Sequence, residues 1–316
     1  MADTLTIMQT VHDTSPCKNF MQVFLADQTI EAQLWVPVTF LVVLFCLIIL
    51  IKYWRVRNLA KRINRLFEEK KAVYDEYLVR YNPYYKSLAP RYKDRFLRRT
   101  ISFIQAKDFK YIGLEGEEFM PLLISATAVQ LTFGLEHYLL DYLRTIYILK
   151  DSYRYGMSEK PFAGHVSDEG IFLSWSHFLV EFHDYTDGEN VGLHEMAHAL
   201  TYVNFRVQEG KDDSFRKKFS EFSPLARPVF DRMRAGETTL LDKYAVSSFE
   251  EFWAVSIETF FERPFPFREQ LPEVYFGLCN LLNQDPLSPD KIQGNVPVDD
   301  DNNKNFLKTA LETFKF

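Results

Sequence analysis

The sequence predicts an α+β fold, mainly helical with a small sheet, preceded by one transmembrane helix. Three observations predict it. Residues Leu34 to Ile51 form an uncharged, mostly apolar run, long enough to cross a bilayer. Beyond it, most apolar residues recur at helical rather than alternating spacing. One short segment, Gly170 to Trp175, is apolar and aromatic and follows the turn residues Ser167-Asp168-Glu169, as a strand does. The 316 residues are 47% hydrophobic and 25% charged, which suits a globular protein and excludes a disordered one. A net charge of −6 argues against sequence-independent nucleic-acid binding, so no nucleic-acid partner is expected. The cysteines Cys17, Cys46 and Cys279 are odd in number and far apart, so they give neither a disulfide framework nor a thiolate metal site.

Residues 1–33 read as a short tail outside the cytoplasm, with Asp3, Asp13, Asp27 and Glu31 against Lys18. Residues 34–54 read as the transmembrane helix. The run from Leu34 to Ile51 spans roughly 27 Å as a helix, about one hydrocarbon core. Pro37 lies near its start, where a missing N–H costs little. After the run come Lys52, Arg55, Arg57, Lys61, Arg62 and Arg65. The excess of cations on this side orients the rest of the chain toward the cytoplasm, as a single-pass protein of the cell inner membrane. Residues 52–99 carry fifteen Lys/Arg against five Asp/Glu, a local balance of +10. Within them, 55–81 read as a basic juxtamembrane helix, solvated or bearing on anionic lipid headgroups.

Residues 82–287 read as one domain, entered through Asn82-Pro83 and Pro90. Phe119 to Leu149 predicts one or two buried helices, with a strand beginning near Tyr147. A polar loop, Asp184 to Asn190, precedes a helix from Val191. Glu209 to Glu237 reads as helical pieces broken at Pro224 and Pro228. A helix from Ser248 to Phe261 follows, with Ser247 or Ser248 as N-cap. Leu271 to Asn283 reads as the last helix, and 288–316 as an acidic tail.

The chemistry concentrates in His194-Glu195-Met196-Ala197-His198. On a helix, residues i and i+4 share a face, so both imidazoles can reach one ion. Glu195 is turned about 100° from His194 and can reach a water at that ion as a general base. A hydrolytic zinc site needs a third protein ligand and one open position. His12, His137, His165, His177 and His183 do not follow at short spacing, so a carboxylate from a later helix is expected. Glu251 and Glu258 lie seven residues apart on one face of the helix from Ser248, in an otherwise apolar segment. A carboxylate there is costly unless paired or metal-bound. Glu258 suits a hydrogen bond to a ligand histidine or a surface position, and Glu250 an exposed first-turn acid.

Four stretches resemble the Mlc titration factor A family of zinc metallopeptidases: Ile171 to Phe178, Val191 to Leu200, Tyr244 to Phe261 and Leu271 to Leu287. The resemblance implies a zincin-like fold, Zn2+ held by His194, His198 and Glu251, and Glu195 as catalytic base. It also implies Tyr244 as a donor to the developing oxyanion. It implies a peptide or protein substrate, with the strand Ile171 to Trp175 as the sheet edge that pairs with the substrate backbone. The family takes its name from sequestering a transcription repressor. An alternative expectation is therefore a membrane-tethered protein that binds or sequesters a transcription regulator, with a vestigial or secondary zinc site. The apolar run at Leu34–Ile51 lies outside the resemblance.

Overall fold

The computed structural model describes residues 16–156, 161–181, 185–207 and 211–288. Its first element is a long helix, α1 (Pro16–Tyr81). This helix starts well inside the segment read as a tail. The reason is local: from Cys17 to Val36 there is no Gly or Pro, and Pro16 sits at the helix start, where it is tolerated. The chain divides into two compact units, Met1–Arg55 and Val56–Phe316. In the first, α1 is long and apolar enough to cross a membrane, and none of its most apolar window is buried. Thr39 Oγ1 donates back to the carbonyl of Trp35 at 2.9 Å.

The second unit begins at Val56, not at Asn82. Val56, Ala60, Ile63, Phe67 and Leu78 are buried, while Arg57, Lys61, Arg62 and Arg65 stay exposed. The segment read as a basic juxtamembrane helix therefore has one apolar stripe in the domain core. Its cations dominate the composition, but they occupy the other face. Asn82 then caps α2 (Pro83–Ser87) through Oδ1, which accepts from Tyr85 N at 2.7 Å. After α3 (Pro90–Ala106) and the strand β1 (Asp108–Ile112) comes α4 (Phe119–Thr132). Helix α4 is buried on every side from Leu122 to Thr132 and packs against α3. It ends at Thr132; the rest of the region expected to be helical is a loop leading to β2 (Thr145–Leu149).

A short hairpin, β3 (Gly164–Ser167) and β4 (Gly170–Ser174), completes a four-stranded sheet of order β1-β2-β4-β3. The first three strands of that order run parallel, and β3 is antiparallel to β4. Gly170 has φ +147, and a Cβ there would sit 2.3 Å from the carbonyl oxygen of Thr145, so only glycine fits. Trp175 belongs not to the strand but to helix α5 (Trp175–Glu181). Strand β4 is hydrogen-bonded on both sides, with Ile171 paired to both Ile146 and Val166. The expectation that this strand is the open edge is overturned; the edge strands are β1 and β3. Strands β1 and β3 escape a sequence reading because one is mostly exposed and the other only four residues long.

Helix α6 (Val191–Thr201) continues as a π-helical turn, Tyr202–Arg206. Helix α7 (Asp213–Arg234) is continuous through Pro224 and Pro228, against the expectation of separate pieces. Each interior proline costs about 3 kcal/mol. The buried stripe of Phe215, Phe222, Val229, Phe230 and Met233 outweighs that, at about 1.5–3 kcal/mol per large side chain. Helix α8 (Phe249–Glu262) is capped by Ser248, as expected, and packs on α6. The short α9 (Pro264–Gln270) leads to α10 (Pro272–Leu282), which packs on α7. The acidic tail expected from residue 288 onward lies outside the described residues except for Ser288.

Candidate metal centre

Helix α6 carries His194, Glu195 and His198, and its start is fixed by Asn190, whose Oδ1 accepts from Leu193 N at 2.9 Å. Helix α8 brings Glu251 to them from its first turn, where Ser248 Oγ accepts the Glu251 N–H at 3.1 Å. The two helices are tied by Trp253, whose indole N–H donates to the carbonyl of Ala197 at 3.0 Å. The result is a tight triangle. His194 Nε2 lies 3.0 Å from Glu251 Oε2, His198 Nε2 lies 3.3 Å from the same oxygen, and the two Nε2 atoms are 3.1 Å apart.

The triangle fits a small divalent ion. Tetrahedral ligands held at 2.0–2.1 Å are separated by about 3.3 Å, close to all three distances. The donor set, two imidazoles and one carboxylate, is one that such ions take. Glu195 is 4% exposed, and its Oε2 has no hydrogen-bond partner among the described residues. Its carboxylate packs against the edge strand. A Cβ on Gly164 would come within 2.5 Å of Glu195 Cγ and 2.7 Å of Oε1.

The electrostatics of the protein groups themselves are those of buried counter-charges. Burial opposes charge on His194, but hydrogen bonds to Glu251 and Glu258 win and hold its pKa well above the usual range. Burial also opposes charge on Glu251, and the two imidazoles overcome it, drawing the carboxyl down to about 2. Glu195 has no such partner, and burial pushes it up to about 7 against the pull of His194 and His198.

Glu258 is buried rather than on the surface. Its Oε1 lies 2.7 Å from His194 Nδ1, and its Oε2 accepts from the backbone of Asn190 at 2.6 Å. It therefore fixes the orientation of the imidazole and holds the loop that opens α6. Glu250 is exposed, as expected, and pairs with Arg206 at 2.8 Å. Tyr244 sits on a 3₁₀ turn, Lys243–Val246, its ring centroid 6.0 Å from that of His194. It is 56% exposed at the mouth of the cleft. Burial of its hydroxyl, followed by the charges of Glu251 and Glu195, raises its pKa.

Two residues of the site escape the sequence reading. Glu262 Oε1 accepts from Asn190 Nδ2 at 2.8 Å and Oε2 from Gly188 N at 3.1 Å, so it anchors the same loop as Glu258. Its place one turn beyond Glu258 is the signal that could have found it. Gly164 gives no signal, because its strand is too short to read. His137, His165 and His177 are not in the triangle, and His12 and His183 lie outside the described residues.

Residues 54–282 match the family described as glucose-regulated metallo-peptidase M90. The chain belongs to this family. It is the Mlc titration factor A family that the four stretches resemble. An uncharacterised protein of Synechocystis sp. is 24% identical over 225 residues, covering 65% of this chain and 81% of that relative. As a member of a metallopeptidase family, the M90 chain is matched to a divalent metal, for which His194, His198 and Glu251 form a candidate site, and to a peptide or protein substrate.

Proposed function

We propose that this protein is a membrane-anchored, zinc-dependent peptidase. The observation that carries the reading is the convergence of two imidazoles and a carboxylate within 3.0–3.3 Å, beside a buried and unpartnered Glu195 oxygen. His194, His198 and Glu251 hold the zinc. Bound there, zinc supplies a Lewis acid and lowers the pKa of water to about 7. Glu195 accepts a proton from the attacking water at its carboxylate and returns it to the leaving amine as the C–N bond breaks. Tyr244 donates its phenol hydrogen to the developing oxyanion. Glu258 keeps the His194 ring in the tautomer and orientation the ion requires. The free edge of β3, which lines the cleft through Gly164, His165 and Val166, pairs with the backbone of the substrate.

The apolar stretch of α1 anchors the chain in a bilayer, and the cations after Ile51 put the peptidase domain on the cytoplasmic side. The test of the function is hydrolysis of a mixed peptide library by the full chain in detergent, wild type beside Glu195→Gln, with zinc content measured on both. The expected outcome is a loss of at least about 10²–10⁴-fold in the variant with zinc retained, the usual contribution of a general base. Equal cleavage by both proteins would remove Glu195 from the mechanism.

A further inference from the structure

Beyond His198 the helix of the candidate metal centre widens rather than stopping. The π-helical turn Tyr202–Arg206 follows directly, a distortion that recurs at functional sites. Asn204 holds it in place. Its Nδ2 donates to the carbonyl of Leu200 at 2.9 Å, and its Oδ1 accepts from Asp212 N, the N-cap of α7, at 2.7 Å. Tyr202 and Phe205, both on this turn, line the cleft that holds the metal triangle. Phe205 is 44% exposed, a large aromatic side chain held open to solvent inside a concave site.

The wall that Phe205 begins is continued by other rings. Its centroid lies 5.1 Å from that of Phe219 on α7, which in turn lies 5.3 Å from that of Trp253 on α8. Phe249 adds a further ring from the start of α8. Trp253 is almost fully buried and anchored to the α6 backbone, so the wall is fixed to the same helix as the two histidines. The cleft has a volume of about 770 Å³, room for a peptide segment with its side chains. Among the described residues that line this side, the two charged ones, Arg206 and Glu250, are ion-paired with each other at 2.8 Å.

We infer that this wall is a specificity subsite for a bulky apolar or aromatic side chain next to the scissile bond. The inference rests on the peptidase reading for the word scissile, but the subsite itself is a binding property. A substrate strand lying along β3 has its side chains alternately toward and away from the cleft floor. One of those directed inward, beside the metal triangle, meets Phe205 and Phe219. An apolar pocket of this kind discriminates by about 10-fold or more between a large side chain and a small one.

The experiment uses the full zinc-supplemented chain in detergent carrying Glu195→Gln, so that peptides bind without turnover. Two peptides are compared by fluorescence anisotropy, identical except for Phe or Ala at the central position. The expected result is binding about 10-fold tighter for the Phe peptide. Adding Phe205→Ala removes most of the difference, whereas Phe205→Leu keeps most of it. Zinc content of each variant verifies that the site has folded. Equal affinity for the two peptides, or a preference that Phe205→Ala leaves intact, overturns the subsite. The Phe preference without cleavage by the Glu195-containing protein upholds the subsite and refutes the peptidase reading, so the two failures are separable.

Discussion

At the scale of single residues, Glu195 is held between two opposing effects. Burial pushes its carboxyl up to about 7, while the adjacent imidazoles pull it down. What keeps water away on one side is the backbone of the edge strand at Gly164, with space for a hydrogen and nothing more. Gly164→Ala would bring a methyl group within 2.5 Å of Glu195 Cγ and force the carboxylate to swing away. Misplacing a reacting group by about 1 Å can cost 10²-fold in rate. The variant is expected to lose about 10–100-fold in kcat, with zinc content and KM little changed. Wild-type kcat in Gly164→Ala would show that the contact does not position the base.

At the scale of elements, α8 works as a ladder of carboxylates along one face. Glu251 reaches the triangle, Glu258 reaches His194 from behind, and Glu262 reaches the loop before α6. Glu262 is buried beside Asp187 and Glu258, and burial first, then these charges, push its pKa up to about 9 against the donors Asn190 and Gly188. An unfolded glutamate titrates near 4.3. Between about 4.3 and 9 the folded state holds a proton that the unfolded state has lost, so the stability linked to Glu262 falls as pH rises through that window. Glu262→Gln carries no such proton. With a chelator present, the stability of the variant relative to wild type, read by urea denaturation, is expected to increase from pH 5 to pH 9. A pH-independent difference would contradict the raised pKa. The histidine pair and its intervening glutamate are legible in the sequence because one helix and one spacing define them. Glu251 is legible through family resemblance, and Glu258 only as one of two options. Glu262 is not, since its partners lie 72 and 74 residues away and only the packing of α8 on α6 unites them.

At the scale of the whole molecule, local signals read well from sequence: Ser248 is legible as a cap, and Asn82 and Asn190 as the residues before a new element, because each acts within three residues of itself. Tertiary packing does not: it carries α7 through two prolines and draws part of a cation-rich helix into the core. That second case sets the limits of the folding unit. Phe67 is 2% exposed, with the Arg98 guanidinium 3.8 Å from its ring centroid, and Leu78 is fully buried. Asp75 accepts from the Tyr85 hydroxyl at 2.5 Å, and Lys71 pairs with Asp94 at 2.8 Å. A fragment starting at Asn82 would expose the surface that Val56, Ile63, Phe67 and Leu78 cover. At about 1.5–3 kcal/mol per large apolar side chain, the loss is comparable to the 5–15 kcal/mol stability of an ordinary domain. The fragment 82–316 is therefore expected to be insoluble or to lack a cooperative melting transition. The fragment 56–316 is expected to melt cooperatively and to retain one metal ion per chain. Calorimetry of the two fragments side by side decides the point. Equal melting temperatures would mean that the α1 stripe rests on the domain without holding it together.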